Sequence, residues 1–548
     1  MSYHEKDSEK DSRPATLFDE TDIDHKSKAE EDVEIPGRIV GGKYLEELGE
    51  MDSTSEEKNG QLTKVDIDLL LTLTTRKYHN GEEIILLEYA DGDKENPFNW
   101  SLARKRVITA LLCSMTLFIG LATTAYSSGI DSMCADLGVP VIQGQLGLFT
   151  FNFACALAPL FLAPFTEFVG RKVIYGGAFV CFTLCFIGLA LGQNIATIIV
   201  MRTLLGIAGC VGTILVGGTF SDLFVPEERA KPMALFSYIA ILGTVGAPIY
   251  AGFINQAIGW RWIEGIQGMA NIPLCVLVLL FLGETRGGKT LQTRARMLRE
   301  STGDARYTSE MDLESKGIKG LLHDSCVKAV NMLVTEPVVF AFGLWIAFTW
   351  FVVFLFLSAI PITFAEKRGW GEGVAGLPYI ALVIGVTLGY VTNSFVQMRK
   401  WDRINADPNQ KVVPENRLYG AMFGSVFLPV GLFIYSFTQY GYLPWIAPTI
   451  ALVPISFGIF FVFESTYSYT SDCYGLNSGS AIAGQGLMRN TLGAVAPLFA
   501  SPFFHNLGSQ WAGLLLSILA TLLTFIPFVF YKYGHVLRAR SKLAKVYE

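Results

Sequence analysis

Long runs of apolar residues alternate with short polar segments along most of the chain. A helix needs about 20 apolar residues to cross the hydrocarbon core of a membrane, and twelve runs reach that length. The predicted spans are 107–127, 142–163, 173–192, 196–216, 234–254 and 264–283, followed by 338–358, 376–397, 418–438, 443–465, 480–500 and 510–531. The pattern predicts an all-α integral membrane protein with twelve transmembrane helices, arranged as two six-helix bundles.

Polar segments outside the spans complete a division of the chain into five parts. These are an acidic tail at 1–90, an N-terminal bundle at 91–283, a cytoplasmic linker at 284–337, a C-terminal bundle at 338–531 and a basic tail at 532–548. The acidic tail is poor in aromatic residues, which predicts disorder. The linker segment 291–299 contains three arginines, and two interpretations stay open for it: a basic amphipathic helix on the membrane surface, or a plain connector.

Composition agrees with this assignment and excludes several classes of protein. The 548 residues are 51% hydrophobic and 17% charged, with a mean hydropathy of +0.39. A positive average over so long a chain is typical of a polytopic membrane protein. The nine cysteines and six histidines show no metal-binding or catalytic spacing. We therefore exclude a soluble enzyme, a nucleic-acid binder and a disulfide scaffold, and we expect no enzymatic activity and no cofactor.

Charge is unevenly distributed along the chain. Residues 1–105 carry 26 acidic and 14 basic side chains, although the net charge of the whole chain is only −6. Lysine and arginine cluster at alternate ends of the spans, for example at 104–106, 171–172 and 399–403. Because basic loops stay in the cytoplasm, this distribution places both termini on the cytoplasmic side. We expect the plasma membrane as the location, with the vacuolar or another internal membrane as the alternative.

Two sequence segments recur at a fixed distance. The fourth span ends in TFSD at 219–222 and the tenth in YTSD at 469–472, so that their aspartates are 250 residues apart. The fifth span contains LGTVGAP at 242–248 and the eleventh LGAVAP at 492–497, with the same offset. Two matches in order favour duplicated halves over a shared membrane-helix composition. Parallel repeats of this kind place the substrate path between the halves, near the bilayer midplane.

Several short motifs carry a family resemblance. After the second span, APFTEFVGRK at 163–172 is similar to the loop motif G-x-L-x-D-R-x-G-R-K. Arg202 begins an R-x-x-x-G motif in the fourth span, and GTVGAPIYAG at 243–252 lies in the fifth. NPFNWS at 96–101 and PENRL at 414–418 add to these. In this order the motifs resemble the major facilitator superfamily, and more closely its fungal drug:proton antiporter family with twelve spans.

The resemblance implies a role for charged residues at the cytoplasmic ends of the spans. In the superfamily such charges hold the two halves together while the cytoplasmic side is closed. Exposed ion pairs of about 0–1 kcal/mol each can do so without locking the gate. The alternative is that these charges are only topology signals beside the helices. The predicted cytoplasmic gate consists of Glu167, Gly170, Arg171, Lys172, Arg229 and Asp472.

Four further charges, Arg202, Asp222, Glu464 and Arg489, are candidates for proton coupling or relay. The resemblance implies proton transfer for Arg202, although a long side chain near the end of a span also snorkels to the surface. Asp222 is expected as a gate or relay element at the cytoplasmic mouth. A charge at helix-centre depth costs about 2.5–3.5 kcal/mol, which suggests that Glu464 binds and releases a proton. Arg489 is its predicted counter-ion, and a static ion pair explains the two charges equally well.

Small and polar residues inside the spans give two more predictions. Glycines in the fifth span permit close helix contact, and a proline there bends the helix. The resemblance links this motif to antiport, whereas ordinary helix packing is the alternative. The antiporter-motif residues are Gly243, Gly246, Pro248 and Gly252. Aromatic and amide side chains suit a bulky amphipathic solute, and the predicted substrate path includes Asn152, Trp350, Asn393 and Gln485.

Together these features predict a secondary transporter. The leading hypothesis is a monomeric, proton-driven antiporter that exports an amphipathic small molecule, such as a drug, a polyamine or a secondary metabolite (a toxin or a glycolipid), by alternating access. Its expected partners are the substrate, protons and the lipid bilayer, and no nucleic acid. An uptake carrier for a sugar or an organic anion is one alternative. A non-transporting nutrient sensor that signals through its tail is another.

Overall fold

A computed structural model describes most of the chain. It covers residues 38–39, 72–79, 82–90, 92–225, 228–313, 318–406, 413–541 and 543–544. The disorder predicted for the acidic residues 1–37 and 40–71 lies outside the described residues.

The first half of the chain forms six long helices. They are α1 Leu102–Leu137, α2 Val141–Phe168, α3 Arg171–Ala190, α4 Ile195–Leu223, α5 Ala230–Ile258 and α6 Trp260–Phe281. Polar side chains begin two of them: Ser101 accepts a hydrogen bond from the amide of Arg104, and Asn194 accepts one from that of Thr197. These caps satisfy amides that have no partner within the helix. A 3-10 turn at Tyr126–Gly129 interrupts α1.

Two helices of the linker and six of the second half follow. The linker contains α7 Gly287–Thr302 and α8 Ile318–Thr335. The second half contains α9 Pro337–Glu366, α10 Glu372–Trp401, α11 Pro414–Thr438, α12 Ile446–Tyr474, α13 Ser478–Asn506 and α14 Ser509–Arg540. We call the side of the bundle that carries α7 and α8 the linker side, and the opposite side the far side.

One spanning helix is less apolar than the rest. Eleven of the described helices are long and apolar enough to cross a membrane, and α13 is not among them. Its 29 residues nevertheless extend about 44 Å, more than the roughly 30 Å of a hydrocarbon core. Its polar residues Gln485, Arg489 and Asn490 are buried against neighbouring helices, chiefly α2 and α9, so they do not meet lipid. The predicted fold of two six-helix bundles is confirmed.

A small sheet lies on the linker side. Strands β2 Thr72–His79 and β3 Glu82–Tyr89 form an antiparallel hairpin, with β1 Arg38–Ile39 beside β2 and β4 Tyr307–Thr308 parallel to β3. The prediction of disorder up to residue 90 is therefore wrong for this hairpin. Its second strand carries an apolar run, of which Leu87 is 1% exposed. Pairing with a strand of the linker, far away in sequence, buries that run.

Helix α7 binds this region through Arg294. The guanidinium donates to Asp93 at 2.7 Å and to Glu95, and the side chains of Arg294 and Asp93 are each 2% exposed. Beside them the Tyr89 hydroxyl donates to the carbonyl of Gly287 at 2.8 Å, and burial raises the pKa of Tyr89 to about 12. Arg294 is therefore buried in protein instead of lying on a membrane surface.

Replacing Arg294 should detach the hairpin from the linker. Arg294→Ala leaves the Asp93 carboxylate buried without its counter-ion, and breaking such a pair typically costs about 3–5 kcal/mol. We expect faster hydrogen–deuterium exchange in residues 82–90. Arg296→Ala is the matched control, because Arg296 is 77% exposed and its pair with Glu300 lies at the surface. Equal exchange in the two variants would contradict this account.

Candidate functional site

A chamber lies where helices of both halves meet. Helices α1, α2, α4 and α5 of the first half and α9, α12 and α13 of the second form its wall. The space inside is about 30 Å³. Sites for drug-sized ligands measure about 300–1,000 Å³, so admission of a substrate requires the halves to move apart.

Aromatic side chains of this central chamber come mainly from the second half, and uncharged polar ones mainly from the first. The aromatic residues are Phe151, Trp350, Phe354 and Phe463. The uncharged polar residues are Thr116, Thr123, Asn152, Thr213, Thr244 and Asn490. Asn490 also donates a hydrogen bond of 3.1 Å to the carbonyl of Cys155, which links the two halves across the chamber. Such a wall suits a molecule with one flat apolar part and one polar part.

Two of the four predicted path residues lie in this wall and two lie elsewhere. Asn152 and Trp350 line the chamber. Asn393 is buried at a π-helical turn of α10 and is not part of the wall. Gln485 is also buried and donates to the hydroxyl of Thr470 at 2.9 Å, which keeps it inside the second half. The rotation of each helix about its axis decides this difference, and the apolar pattern of a membrane-spanning helix does not fix that rotation.

Arg489 is the charged residue of the chamber. It is 3% exposed, and its Nη1 donates to the hydroxyl of Tyr467 at 2.7 Å while its Nε donates to the Asn490 side chain at 3.2 Å. Its guanidinium carbon lies 4.9 Å from the centre of the Trp350 ring and 5.3 Å from that of Phe463. Aromatic faces stabilise a cation in this position.

A wider vestibule joins the chamber to the linker side. Its volume is about 310 Å³. Along α2 the chamber residue Cys155 is followed one turn later by the vestibule residue Pro159, so the two spaces follow each other along the same helix. Helix α8 borders the vestibule, since Cys326 donates to the carbonyl of Leu160 and Lys328 donates to the side chain of Asn477 at 2.7 Å. The linker thereby bridges the two halves.

The far side of the bundle is closed by contacts between α5 and α10. Asn255 of α5 donates to the carboxylate of Glu372 at 2.7 Å, and the side chain of Gln256 accepts from the amide of Gly373. Toward the chamber, apolar residues such as Val352 and Ile455 surround a space of about 10 Å³. The halves are therefore joined at the far-side ends of α5 and α10, whereas the vestibule lies between α2 and α13 on the linker side.

The glycine motif of α5 makes these contacts possible. A Cβ atom on Gly243 would lie 2.7 Å from the carbonyl oxygen of Leu117 in α1, and one on Gly252 would lie 2.7 Å from that of Glu372. Pro248 continues the helix, and its carbonyl approaches Gly376 of α10. Gly246 has no atom closer than 4.0 Å to such a position, so close packing does not require it. The motif thus packs α5 against α1 and against the other half.

Arg202 is fully buried in the first half and does not snorkel. Its Nη1 donates to the carbonyl of Ala122 at 2.8 Å and its Nη2 to that of Thr123 at 3.1 Å. The guanidinium also stacks over the rings of Tyr126 and Phe151, at 4.3 and 4.6 Å. Arg202 therefore holds the end of the regular part of α1, directly behind the chamber residue Thr123.

Glu264 of α6 is a buried carboxylate that sequence reasoning missed. It is 2% exposed, it acts electrostatically on Arg202, and its Oε2 has no hydrogen-bond partner among the described residues. Gln267 and Asn271 follow on the same face of α6 and are also buried with unpartnered polar atoms. A carboxylate and two amides at helical spacing within an apolar run are a sequence signal for such a buried polar face. The signal is easily overlooked, because Glu264 is the first residue of the predicted span 264–283 and so looks like a residue at the membrane surface.

The predicted contact between Glu464 and Arg489 is not formed. Glu464 is 6% exposed, and its Oε1 accepts from the hydroxyl of Ser468, one turn further along α12, at 2.7 Å. On the same helix Phe463 and Tyr467 meet Arg489. Because successive residues of a helix are rotated by about 100°, Glu464 points away from that face. Similar depth in the membrane was an insufficient argument for pairing.

Charged residues at the linker side pair within the first half. Arg171 binds Asp222 at 2.5 Å, and Arg286 reaches the same carboxylate at 3.3 Å. The carboxylate of Glu284 accepts hydrogen bonds from the amides of Arg171 and Lys172. Gly170 precedes this capped helix start with φ +107°, a conformation that favours glycine. Asp222 thus lies at the linker-side mouth, as predicted.

The second half repeats this arrangement. Arg417, in the first turn of α11, binds Asp472 at the end of α12 at 2.9 Å. Arg538 of α14 binds Glu415 at 2.9 Å. The aspartates offset by 250 residues therefore both bind an arginine at the same end of equivalent helices. These pairs lie within the halves, so they do not join them in this conformation.

Three other predicted gate residues remain. Arg229 donates to the carbonyls of Ser221 and Phe224 at 3.4 Å, near the end of α4. The side chain of Glu167 lies outside the described residues, and that of Lys172 is exposed.

Comparisons with known proteins agree with this geometry. The family model of the Major Facilitator Superfamily matches residues 112–497. An ascochitine biosynthesis cluster MFS transporter of Didymella fabae is 32% identical, covering 82% of this chain and 88% of the relative. A major facilitator superfamily multidrug transporter of Aspergillus fumigatus is 31% identical, covering 83% of this chain and 75% of the relative. An MFS-type efflux pump of Trichophyton rubrum is 30% identical, with 84% and 77% covered.

Two six-helix halves around a central chamber define a multi-pass membrane transporter that acts on small molecules, and the chain belongs to the major facilitator superfamily. Its similarity to fungal efflux pumps and metabolite transporters places it in the fungal drug-efflux family. The recognition drawn from the sequence motifs is confirmed.

Removing the far-side contact should favour opening on that side. Glu372→Ala deletes the hydrogen bond with Asn255, and a typical hydrogen bond contributes about 1 kcal/mol, or about fivefold in population. We expect a longer distance between spin labels at Ile258 and Leu377, measured by pulsed electron spin resonance. Glu366→Ala is the control, because Glu366 binds His505 within the second half. An unchanged distance distribution in Glu372→Ala would contradict the closing role.

Proposed function

We propose that the protein is a proton-coupled antiporter that exports an amphipathic organic compound from the cytoplasm. The observation that carries this proposal is the chamber between the halves, which a vestibule connects to the linker side while α5 and α10 close the far side. Alternating access needs such a site and two surfaces that open in turn. The basic residues at the linker-side ends support a cytoplasmic linker and cytoplasmic termini, and we expect the plasma membrane.

The direction of transport is supported by the relatives. Two of them are described as an efflux pump and a multidrug transporter, and a third belongs to a biosynthesis cluster. Export of a compound made by the cell or entering from outside fits these descriptions. The wide vestibule on the linker side then serves as the entrance for the compound.

Proton coupling is best assigned to Arg202 and Glu264. The repeat of 250 residues places Leu452 at the position of Arg202 and Leu514 at that of Glu264. The second half therefore builds the same fold with leucines at the two positions that carry buried charges in the first half. Charges that the fold does not need point to a function.

Protonation of Glu264 changes the electrostatics around Arg202. The ionised carboxylate offsets the buried guanidinium, whereas a protonated one leaves it uncompensated. The other titratable groups that interact with Glu264 are the hydroxyls of Tyr126 in α1 and Tyr250 in α5. Because Arg202 holds the carbonyl of Thr123, a chamber residue, its displacement alters the chamber wall. A proton entering from the far side is thereby coupled to the substrate site.

Proteoliposomes test the antiport. Liposomes containing the purified full chain receive a pH gradient, and three matched probes are followed: naphthalenesulfonate, naphthamide and naphthylmethyl-trimethylammonium. With one proton exchanged per molecule, one pH unit should give about tenfold accumulation of a transported probe. Transport that is equal with and without the gradient, or no greater than in protein-free liposomes, would remove the proposal.

A substitution at Glu264 tests the coupling site. Glu264→Gln keeps the size of the side chain but no longer binds a proton. Exchange of a probe at equal pH should persist, while its acceleration by the gradient is lost. Glu300→Gln, an exposed carboxylate of the linker, serves as the control. The assignment is wrong if the pH gradient still accelerates probe exchange by the Glu264→Gln variant. It is also wrong if the Glu464→Gln variant, and not Glu264→Gln, loses this acceleration.

A further inference from the structure

Arg489 carries a positive charge that no carboxylate binds within the described chain. Its two side-chain hydrogen bonds go to the neutral groups of Tyr467 and Asn490, and its Nη2 donates to no residue in the part of the chain that the structure describes. A buried charge without a counter-ion is costly, and the aromatic faces of Trp350 and Phe463 offset only part of that cost. An unused pair of N–H donors at the chamber is a site for an oxygen acceptor.

The fold itself does not require this charge. The residue 250 positions earlier, equivalent to Arg489 in the repeat, is Ile239. An apolar side chain thus occupies the same place in the first half. The guanidinium is an addition of the second half, at the point where α13 meets the chamber.

The charged side chains that line the route into the chamber are positive, like Arg489. Among the described residues, the lining of the chamber and of the vestibule contains no acidic side chain. It contains Arg489 in the chamber and Lys328 in the vestibule, together with Arg171, whose charge is offset by Asp222. Clefts lined by one sign of charge concentrate ligands of the opposite sign. The path therefore favours anions and disfavours cations such as polyamines.

We propose that the chamber binds organic anions: flat aromatic or conjugated molecules with one acidic group, a carboxylate, enolate or sulfonate. The acidic oxygens bind the guanidinium of Arg489, which presents paired donors to planar anions. The ring of the ligand lies against Trp350 and Phe354. This inference names the substrate class of the proposed exporter and rests on that function.

Binding of such a ligand also opens the chamber. The contracted space of about 30 Å³ does not hold a ring system, so the halves must separate. The hydrogen bond from Asn490 to the carbonyl of Cys155 joins the halves beside Arg489. An anion bound at Arg489 lies next to that bond and separates its partners. The anionic group of the ligand thus binds at the same place where the two halves separate.

Binding measurements with the three naphthalene probes test the proposal. The full chain in nanodiscs is titrated by calorimetry. We expect naphthalenesulfonate to bind at least about tenfold more tightly than naphthamide, since hydrogen bonds to charged groups contribute more than neutral ones. Naphthylmethyl-trimethylammonium should bind weakest. Equal affinity for sulfonate and amide, tightest binding of the ammonium probe, or binding of none would overturn the proposal.

Variants of Arg489 show whether this residue sets the preference. Arg489→Gln should weaken sulfonate binding about 10–100-fold and leave naphthamide binding within about threefold. Arg489→Lys keeps the charge and should retain part of the preference, while Arg296→Gln, at the exposed linker surface, should change neither. A preference for the sulfonate that persists in Arg489→Gln would overturn the assignment. The wild-type comparison of the three probes remains decisive if that variant fails to fold.

The outcomes separate this inference from the antiport. Gradient-driven transport of the ammonium probe would overturn the anion preference and leave proton coupling intact. Tight binding of the sulfonate to the wild-type protein, with transport that is unaffected by the pH gradient, would overturn proton coupling and leave the anion preference intact.

Discussion

Two arginines buried between the helices set the electrostatics of the transport path. The guanidinium of Arg202 donates to two backbone carbonyls of α1 and interacts electrostatically with Glu264. The guanidinium of Arg489 faces the chamber, and its hydrogen-bond partners are neutral. A charge inside an apolar slab is costly unless hydrogen bonds, aromatic faces or a counter-charge offset it. The two sites offset this cost differently, Arg202 with backbone carbonyls and the nearby Glu264, and Arg489 with neutral side chains and aromatic faces.

Duplication explains why these charges are informative. Both halves repeat the outer ion pairs, Arg171 with Asp222 and Arg417 with Asp472, where helices meet water at the linker side. The inner charges are not repeated, since leucine or isoleucine occupies each equivalent position. Features shared by the halves therefore belong to the fold, and the proposals for Arg202, Glu264 and Arg489 rest on charges that the halves do not share.

The sequence predicts the helices and their order correctly, but it does not predict the partners of the charged side chains. The apolar runs predicted all twelve spans, including 480–500 in α13, which is less apolar than the other eleven because protein surrounds its polar residues. Sequence reasoning paired Glu464 with Arg489 by depth, but depth does not fix helix rotation. It overlooked Glu264 at the edge of a predicted span. It also missed the hairpin at 72–89, whose stability comes from pairing with distant residues of the linker.

By itself the sequence determined the class of protein, the number of crossings, the duplicated halves and the family. These follow from local properties, because apolar length, basic loops and short motifs need no neighbour to be recognised. Only the tertiary structure decided which side is open, which residues line the chamber and that Arg489 faces it without a carboxylate. Those facts depend on the rotation and packing of helices that are far apart in the chain. The sequence does not mark this rotation, because most side chains on α9 and α12 are apolar whether they face protein or lipid.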